Sequence, residues 1–207
     1  MQMRCAVRIL ILAAGLLLPL LTFAQGFVNL DFESANLSSY SPGPVPTVDA
    51  IPGWTALRDN SPQETIAYNV GGLIEIVAAT TIQGDYYIHL QGQRGLTVSI
   101  GQTGTIPDTS QSLVFWGNVN LASISFNGQE LSLVVLGQTP GYSIYGADIA
   151  GFAGKTGPLL LSATGTAFAD IDNLAFSTSP IPEPSGLTLA GLALVALRFW
   201  RWRKPMQ

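Results

Sequence analysis

The chain has 207 residues, a formal net charge of −4 at neutral pH and only 11% charged residues. Of its nine Lys and Arg, three (Arg58, Arg94 and Lys155) fall between residues 25 and 179, so that stretch is acidic and poorly suited to nucleic acid or anionic lipid. With one cysteine (Cys5) and one histidine (His89), the composition excludes a disulfide framework and a cysteine or multi-histidine metal centre.

Arg4 and Arg8 precede an apolar run from Ile9 to Leu21, and Thr22-Phe-Ala24 follows it. A basic start, an apolar stretch and a small-x-small site read as a secretory signal peptide over 1–24, cut after Ala24. Cys5 lies before the apolar run and leaves with the peptide, so the exported part holds no thiol. Residues 25–179 are long enough for one domain with its own core.

Val28 to Phe32 alternates, which predicts a first strand with Val28, Leu30 and Phe32 on one face. Ser38 to Pro52, rich in Ser, Pro and Gly, reads as a loop closed by Ile51-Pro-Gly-Trp54. Short strands are expected at Thr65–Tyr68 and Leu73–Val77 around Gly71-Gly72. Further strands are expected at Asp85–Gln91, Leu96–Ile100 and Ser112–Trp116. Asn127-Gly128 joins Ile124–Phe126 to Gln129–Leu136 and predicts a type I′ hairpin, because both central positions need positive φ. On the second arm Leu131, Leu133 and Val135 share a face. Tyr142–Ile149, Pro158–Ala163 and Ala167–Ser177 complete about ten strands, at a spacing that indicates an all-β antiparallel sandwich of jelly-roll type.

Four motifs in this stretch resemble galactose-binding-like and carbohydrate-binding-module sandwiches: Asn29-Leu-Asp-Phe-Glu33, Ile51-Pro-Gly-Trp54, Gly84-Asp-Tyr-Tyr-Ile-His-Leu90 and Ala169-Asp-Ile-Asp-Asn-Leu-Ala-Phe176. The resemblance implies a sandwich that binds carbohydrate. In such sandwiches the first and last strands lie side by side, which would gather Asp31, Glu33, Asp170 and Asp172 at one edge. Carboxylates there suit calcium, which takes six to eight oxygens; solvated charges at the ends of edge strands are the alternative. Trp54, Tyr86, Tyr87, Trp116, Tyr142 and Tyr145 are the aromatics that could stack on a sugar, with Trp54, Tyr86 and Tyr87 as the ligand candidates. Tyr86 and Tyr87 are adjacent in a strand, so only one of them can face inward.

Catalytic signatures are scarce. Gly151-Phe-Ala-Gly-Lys-Thr156 lacks the first glycine of a phosphate loop, since Ile149 stands there. No Gly-x-Ser-x-Gly is present, and His89 reads as a half-exposed strand residue. A secreted glycoside- or ester-hydrolysing enzyme, the former using a carboxylate pair, stays open as an alternative to a non-catalytic binding domain, as does a purely structural adhesin.

The C-terminal residues hold three parts in order: Ser179-Pro-Ile-Pro-Glu-Pro-Ser185, an apolar run from Gly186 to Leu197, and the cations Arg198, Arg201, Arg203 and Lys204. The prolines keep the first part extended, so Glu183 is presented on a stiff rod. The apolar run predicts a short transmembrane helix that the cations stop on the cytoplasmic side. Residues 180–204 resemble the PEP-CTERM sorting signal of Gram-negative bacteria, with Pro182, Glu183 and Pro184 as the motif. Ile181 stands where that family commonly has Val. The resemblance implies export, transient membrane anchoring, processing by an exosortase and delivery to the cell surface or extracellular matrix. A plain membrane anchor is the alternative.

Overall fold

A computed structural model describes residues 26–78 and 82–181 of the chain. The expected signal peptide, the motif Pro182-Glu183-Pro184, the apolar run after it and the basic cluster Arg198, Arg201, Arg203 and Lys204 lie outside the described residues. No helix among the described residues is long and apolar enough to cross a membrane.

Among the described residues fourteen strands form two facing sheets. They are β1 (Gly43–Pro46), β2 (Thr55–Arg58), β3 (Ser61–Pro62), β4 (Thr65–Tyr68), β5 (Ile74–Ala78), β6 (Tyr86–Gln91), β7 (Thr97–Thr105), β8 (Ser112–Asn120), β9 (Ser123–Phe126), β10 (Gln129–Glu130), β11 (Val134–Gln138), β12 (Ser143–Asp148), β13 (Thr156–Thr164) and β14 (Phe168–Ser177). One sheet runs β1-β4-β5-β6-β14-β8-β12-β11 and the other β10-β9-β13-β7-β2-β3. From β6 to β9, and again from β12 to β14, consecutive strands pass from one sheet to the other. That is jelly-roll wrapping of an all-β sandwich, as the spacing of the apolar runs predicts.

The core lies between the sheets. Ile74, Ile76, Ile88, Leu90, Leu113, Phe115, Ala169 and Ile171 come from the larger sheet. Ala56, Val98, Ile100, Ile124, Phe126, Leu159 and Leu161 come from the smaller one, and all are buried. Each set recurs every second residue, because side chains alternate across a strand. At roughly 1.5–3 kcal/mol for each large apolar side chain withdrawn from water, this layer is what holds an unstapled domain together. The Asn127-Gly128 turn has φ of 51° and 76°, as a type I′ hairpin requires.

Four expectations are corrected. Val28–Phe32 is a looped segment, not a strand: Asn29 and Phe32 have φ of 49° and 57°. Asn29 fixes the turn by accepting the Ser34 N–H and donating to the Pro52 carbonyl. Only Phe32 of the three apolar residues is fully buried, while Val28 faces out. Within Ser38–Pro52, residues 43–46 form β1 and Thr47–Ala50 a single helical turn (α1). Val45 there reaches the core, and Pro44 and Pro46 are tolerated because β1 is an edge strand. The run after the hairpin does not stay in one sheet. Leu131 is buried, but the chain then crosses to β11 on the other sheet, where Val135 is exposed. Finally, β4 and β5 pair in parallel. The Glu75 carboxylate inside the connecting turn accepts N–H groups from Val70, Gly71 and Gly72 at 2.6, 2.9 and 3.1 Å.

Candidate functional site

The outer face of the eight-stranded sheet carries a group of aromatic and polar side chains. Period-two alternation sets it: Leu113 and Phe115 of β8 turn inward, so Trp116 and Asn118 turn outward one residue further on. In β6, Ile88 and Leu90 are buried, so Tyr87, His89 and Gln91 face out. In β14, Ala169 and Ile171 are buried, and Asp170 and Asp172 share the outward face.

Register places these residues in two rows. His89, Asp170 and Asn118 stand opposite one another across β6, β14 and β8. Asp172 stands opposite Trp116, and Trp116 opposite Ile144. His89 Nδ1 and Asp170 Oδ1 are 2.7 Å apart, with about a quarter and a fifth of the two side chains exposed. Trp116 stacks on Tyr142 with centroids 5.3 Å apart and planes 13° from parallel.

That stack is fixed from beneath. Tyr142 closes the β11–β12 hairpin, where the Thr139 N–H and hydroxyl both donate to the Tyr142 carbonyl at 2.8 Å. The Tyr142 N–H donates to the Thr139 hydroxyl, and the Asn118 amide donates to the Gly141 carbonyl at 3.2 Å. Half-buried rings stacked on each other at a hairpin whose backbone is held by these bonds offer a flat apolar surface at small entropic cost on binding.

Two elements bound the open face. The first is the loop before β6. Its Gln83 N–H donates to Asp172 at 3.1 Å, and its Asp85 and Tyr86 N–H groups donate to Glu33 at 2.9–3.1 Å. Gly84 in the same loop has φ 63°, and any Cβ there would run into the Glu33 carboxylate. The second is residues 178–181. The Ser112 hydroxyl donates to the Ser179 carbonyl at 2.8 Å, and Ile181 and Leu136 close over Gly146.

The expected site residues separate accordingly. Trp54 is corrected: it is 5% exposed, packs on Phe32 and donates its indole N–H to the Asn29 carbonyl, so it is a core residue with no face for a ligand. Of the two adjacent tyrosines, Tyr86 packs against the core and Tyr87 faces outward. Burial, then the negative charges of Asp170 and Glu75, push the Tyr87 hydroxyl above its ordinary range.

The four carboxylates expected to bind calcium do not share one edge, because β14 is a central strand between β6 and β8. Glu33 and Asp172 are engaged with backbone N–H groups and Asp170 with His89. Among the described residues no three His, Cys, Asp or Glu side chains gather as a metal ion needs. Asp172 is 1% exposed, and burial pushes its carboxyl up to about 7 against the N–H groups of Gln83 and Asn173, with Glu33 and Asp31 adding repulsion.

The reading of residues alone counted Trp116 and Tyr142 among six possible stacking aromatics without preferring them, and did not name Asn118. The alternation of Ser112–Trp116 carries the signal for Trp116. Tyr142 needs the hairpin that folds it back onto that ring.

No family model matches the chain, and no curated protein matches it in sequence. Solved structures similar to it include the following two. One is TmCBM61 in complex with β-1,4-galactotriose, at 13% identity and a TM-score of 0.42, over 74% of this chain and all of that one. The other is the enzymatically active domain of bacteriophage CBA120 tailspike protein 4, at 14% identity and a TM-score of 0.42. This chain spans 21% of that tailspike structure and is covered over 74% of its own length. At that level of likeness neither neighbour's ligand nor its activity passes to this chain.

Proposed function

We propose that the sandwich is a non-catalytic carbohydrate-binding domain whose ligand lies on the outer face of the eight-stranded sheet. The observation that carries this reading is the stacked Trp116–Tyr142 pair beside the polar row Asn118, Asp170 and His89. A sugar ring has an apolar face of C–H groups and a rim of hydroxyls. The aromatic pair suits the first, and the amide, carboxylate and imidazole suit the second. Tyr87 extends the face on the β6 side. Asp172, the carboxyl pushed up to about 7, is buried beneath the loop before β6, whose Gln83 N–H caps it, and so does not meet a substrate there.

The test is titration calorimetry of the full-length chain with a panel of soluble polysaccharides, in parallel with Trp116→Ala. Saturable binding to a glycan that Trp116→Ala weakens supports the reading. Binding that Trp116→Ala leaves untouched places the ligand elsewhere, and a panel without any binder rejects it.

For delivery, the reading is that the chain is exported, held briefly by the apolar run after the proline motif, and processed by an exosortase that reads Pro182-Glu183-Pro184. What supports it is the order of motif, apolar run and basic cluster in the sequence. Glu183→Ala should leave insertion intact and make the full-length form accumulate in the inner membrane. A wild-type chain that stays there uncut in hosts with and without the exosortase points to a plain anchor.

A further inference from the structure

We infer that this face selects glycans carrying free amines over those carrying uronic acids, through the partly exposed carboxylate of Asp170; the inference rests on the carbohydrate-binding reading above. The charged and titratable groups on the face are Glu75 of β5, Tyr87 and His89 of β6, and Asp170 and Asp172 of β14. Asp148 stands exposed at the far end of β12. Asp85 and Glu33 lie at the loop that bounds the face, and Asp31 lies near enough to act on Asp172. None of these is Lys or Arg. The three cations of the described residues sit elsewhere: Arg58 ends β2 in the other sheet, Arg94 is in the turn after β6, and Lys155 lies over the Phe152 ring.

The geometry makes Asp170 the group that reads charge. His89 takes only Oδ1, at 2.7 Å, which fixes the carboxylate plane and leaves the second oxygen for a ligand. Asp170 lies directly opposite Asn118, two residues along the register from Trp116 and on the same face. A sugar stacked on the Trp116–Tyr142 pair therefore carries its ring substituents over that oxygen. An ammonium group there gains a charge-assisted hydrogen bond. A carboxylate there meets Asp170 and the surrounding acids with no Lys or Arg to pair with, the His89 imidazole being already engaged by Asp170 Oδ1, and like-charge contact is strongly unfavourable. The Tyr87 hydroxyl, raised first by burial, is raised further by the charges of Asp170 and Glu75, in keeping with a negative field on this face.

The experiment compares three soluble probes on the full-length chain at a pH where sugar amines are charged: a glucosamine oligomer, the N-acetylglucosamine oligomer of equal length and a galacturonate oligomer. The glucosamine oligomer is expected to bind about tenfold tighter than its acetylated counterpart, with galacturonate weakest. Raising NaCl from about 50 mM to about 500 mM should erode that advantage, because a half-exposed pair is screened. Asp170→Asn should bring the two oligomers within about twofold of each other. Equal binding of the amine and acetylated oligomers to the native chain, or galacturonate binding as tightly as either, overturns the inference and leaves the carbohydrate reading standing. If no glycan of any charge binds, both fall. The salt titration uses the native chain, so the inference remains testable even where Asp170→Asn fails to fold.

Discussion

Nδ1 of His89 meets Oδ1 of Asp170 at 2.7 Å, from directly opposed positions on β6 and β14. A cross-strand pair of this kind gives both side chains one orientation on an otherwise adaptable surface. It ties together the two strands between which the exposed polar row runs.

The aromatic pair and the core tryptophan should respond oppositely. Trp116→Ala removes a half-exposed ring and one side of a stack, a term of about 0.5–1.5 kcal/mol beyond area. Glycan affinity should fall about tenfold while the domain stays folded. Trp54→Ala empties a core site and should cost about 3–5 kcal/mol of stability. Urea denaturation alongside calorimetry separates the two outcomes.

Asp172 makes stability depend on pH. Its folded pKa of about 7 lies above the ordinary 3.8, so between those values the folded state binds more protons than the unfolded one. Stability therefore falls as pH rises through that window and levels off above it, by on the order of 4 kcal/mol at most. The melting temperature should be higher at pH 5 than at pH 8, and Asp172→Asn should flatten the slope. A melting temperature that rises from pH 5 to pH 8 contradicts the assignment.

Glu75 holds a turn that the backbone alone does not close. Glu75→Gln leaves at most one oxygen to accept from three N–H groups, two of them within 3 Å of the present carboxylate. With hydrogen bonds to a charged group contributing about 1.5–3 kcal/mol each, the variant should lose about 2–3 kcal/mol. Amide exchange of Val70, Gly71 and Gly72 should accelerate more than exchange in β7. Uniform acceleration across the domain would show that the turn is not separately held.

Gly84→Ala forces a residue with φ 63° to carry a Cβ that collides with the Glu33 carboxylate. The loop before β6 should loosen, with a cost of about 1–3 kcal/mol. Tyr87, the next outward residue, should then lose order as read by its ring resonances. An unchanged melting temperature would mean that the loop accommodates the methyl group.

The two-layer architecture was legible because alternation at β6, β7, β8, β13 and β14 is strong and Asn127-Gly128 is unambiguous. What failed did so for identifiable reasons. Asn29 adopts positive φ and breaks an alternating run that otherwise reads as a strand. Prolines 44 and 46 mask an edge strand whose only core residue is Val45. Trp54 stands in a turn motif that resembles a ligand loop, yet its N–H is turned inward by a carbonyl 25 residues away in sequence. The candidate face depends on register between strands far apart in the chain, and alternation gives the face of each residue without its neighbour on the next strand.

The exit of the chain decides how the domain resists tension. Load drawn through the residues beyond 181 first meets the Ser112–Ser179 hydrogen bond and the seat of Ile181, which can peel away singly. It then reaches β14, which is laddered to β6 on one side and β8 on the other. An edge strand unzips one bond at a time. A central strand pulled along its length must shear two ladders together, so rupture needs many hydrogen bonds to yield at once. Because β14 also carries Asp170, the strand that reads the ligand is the strand that bears the force, and a pull strong enough to extract it would release both together.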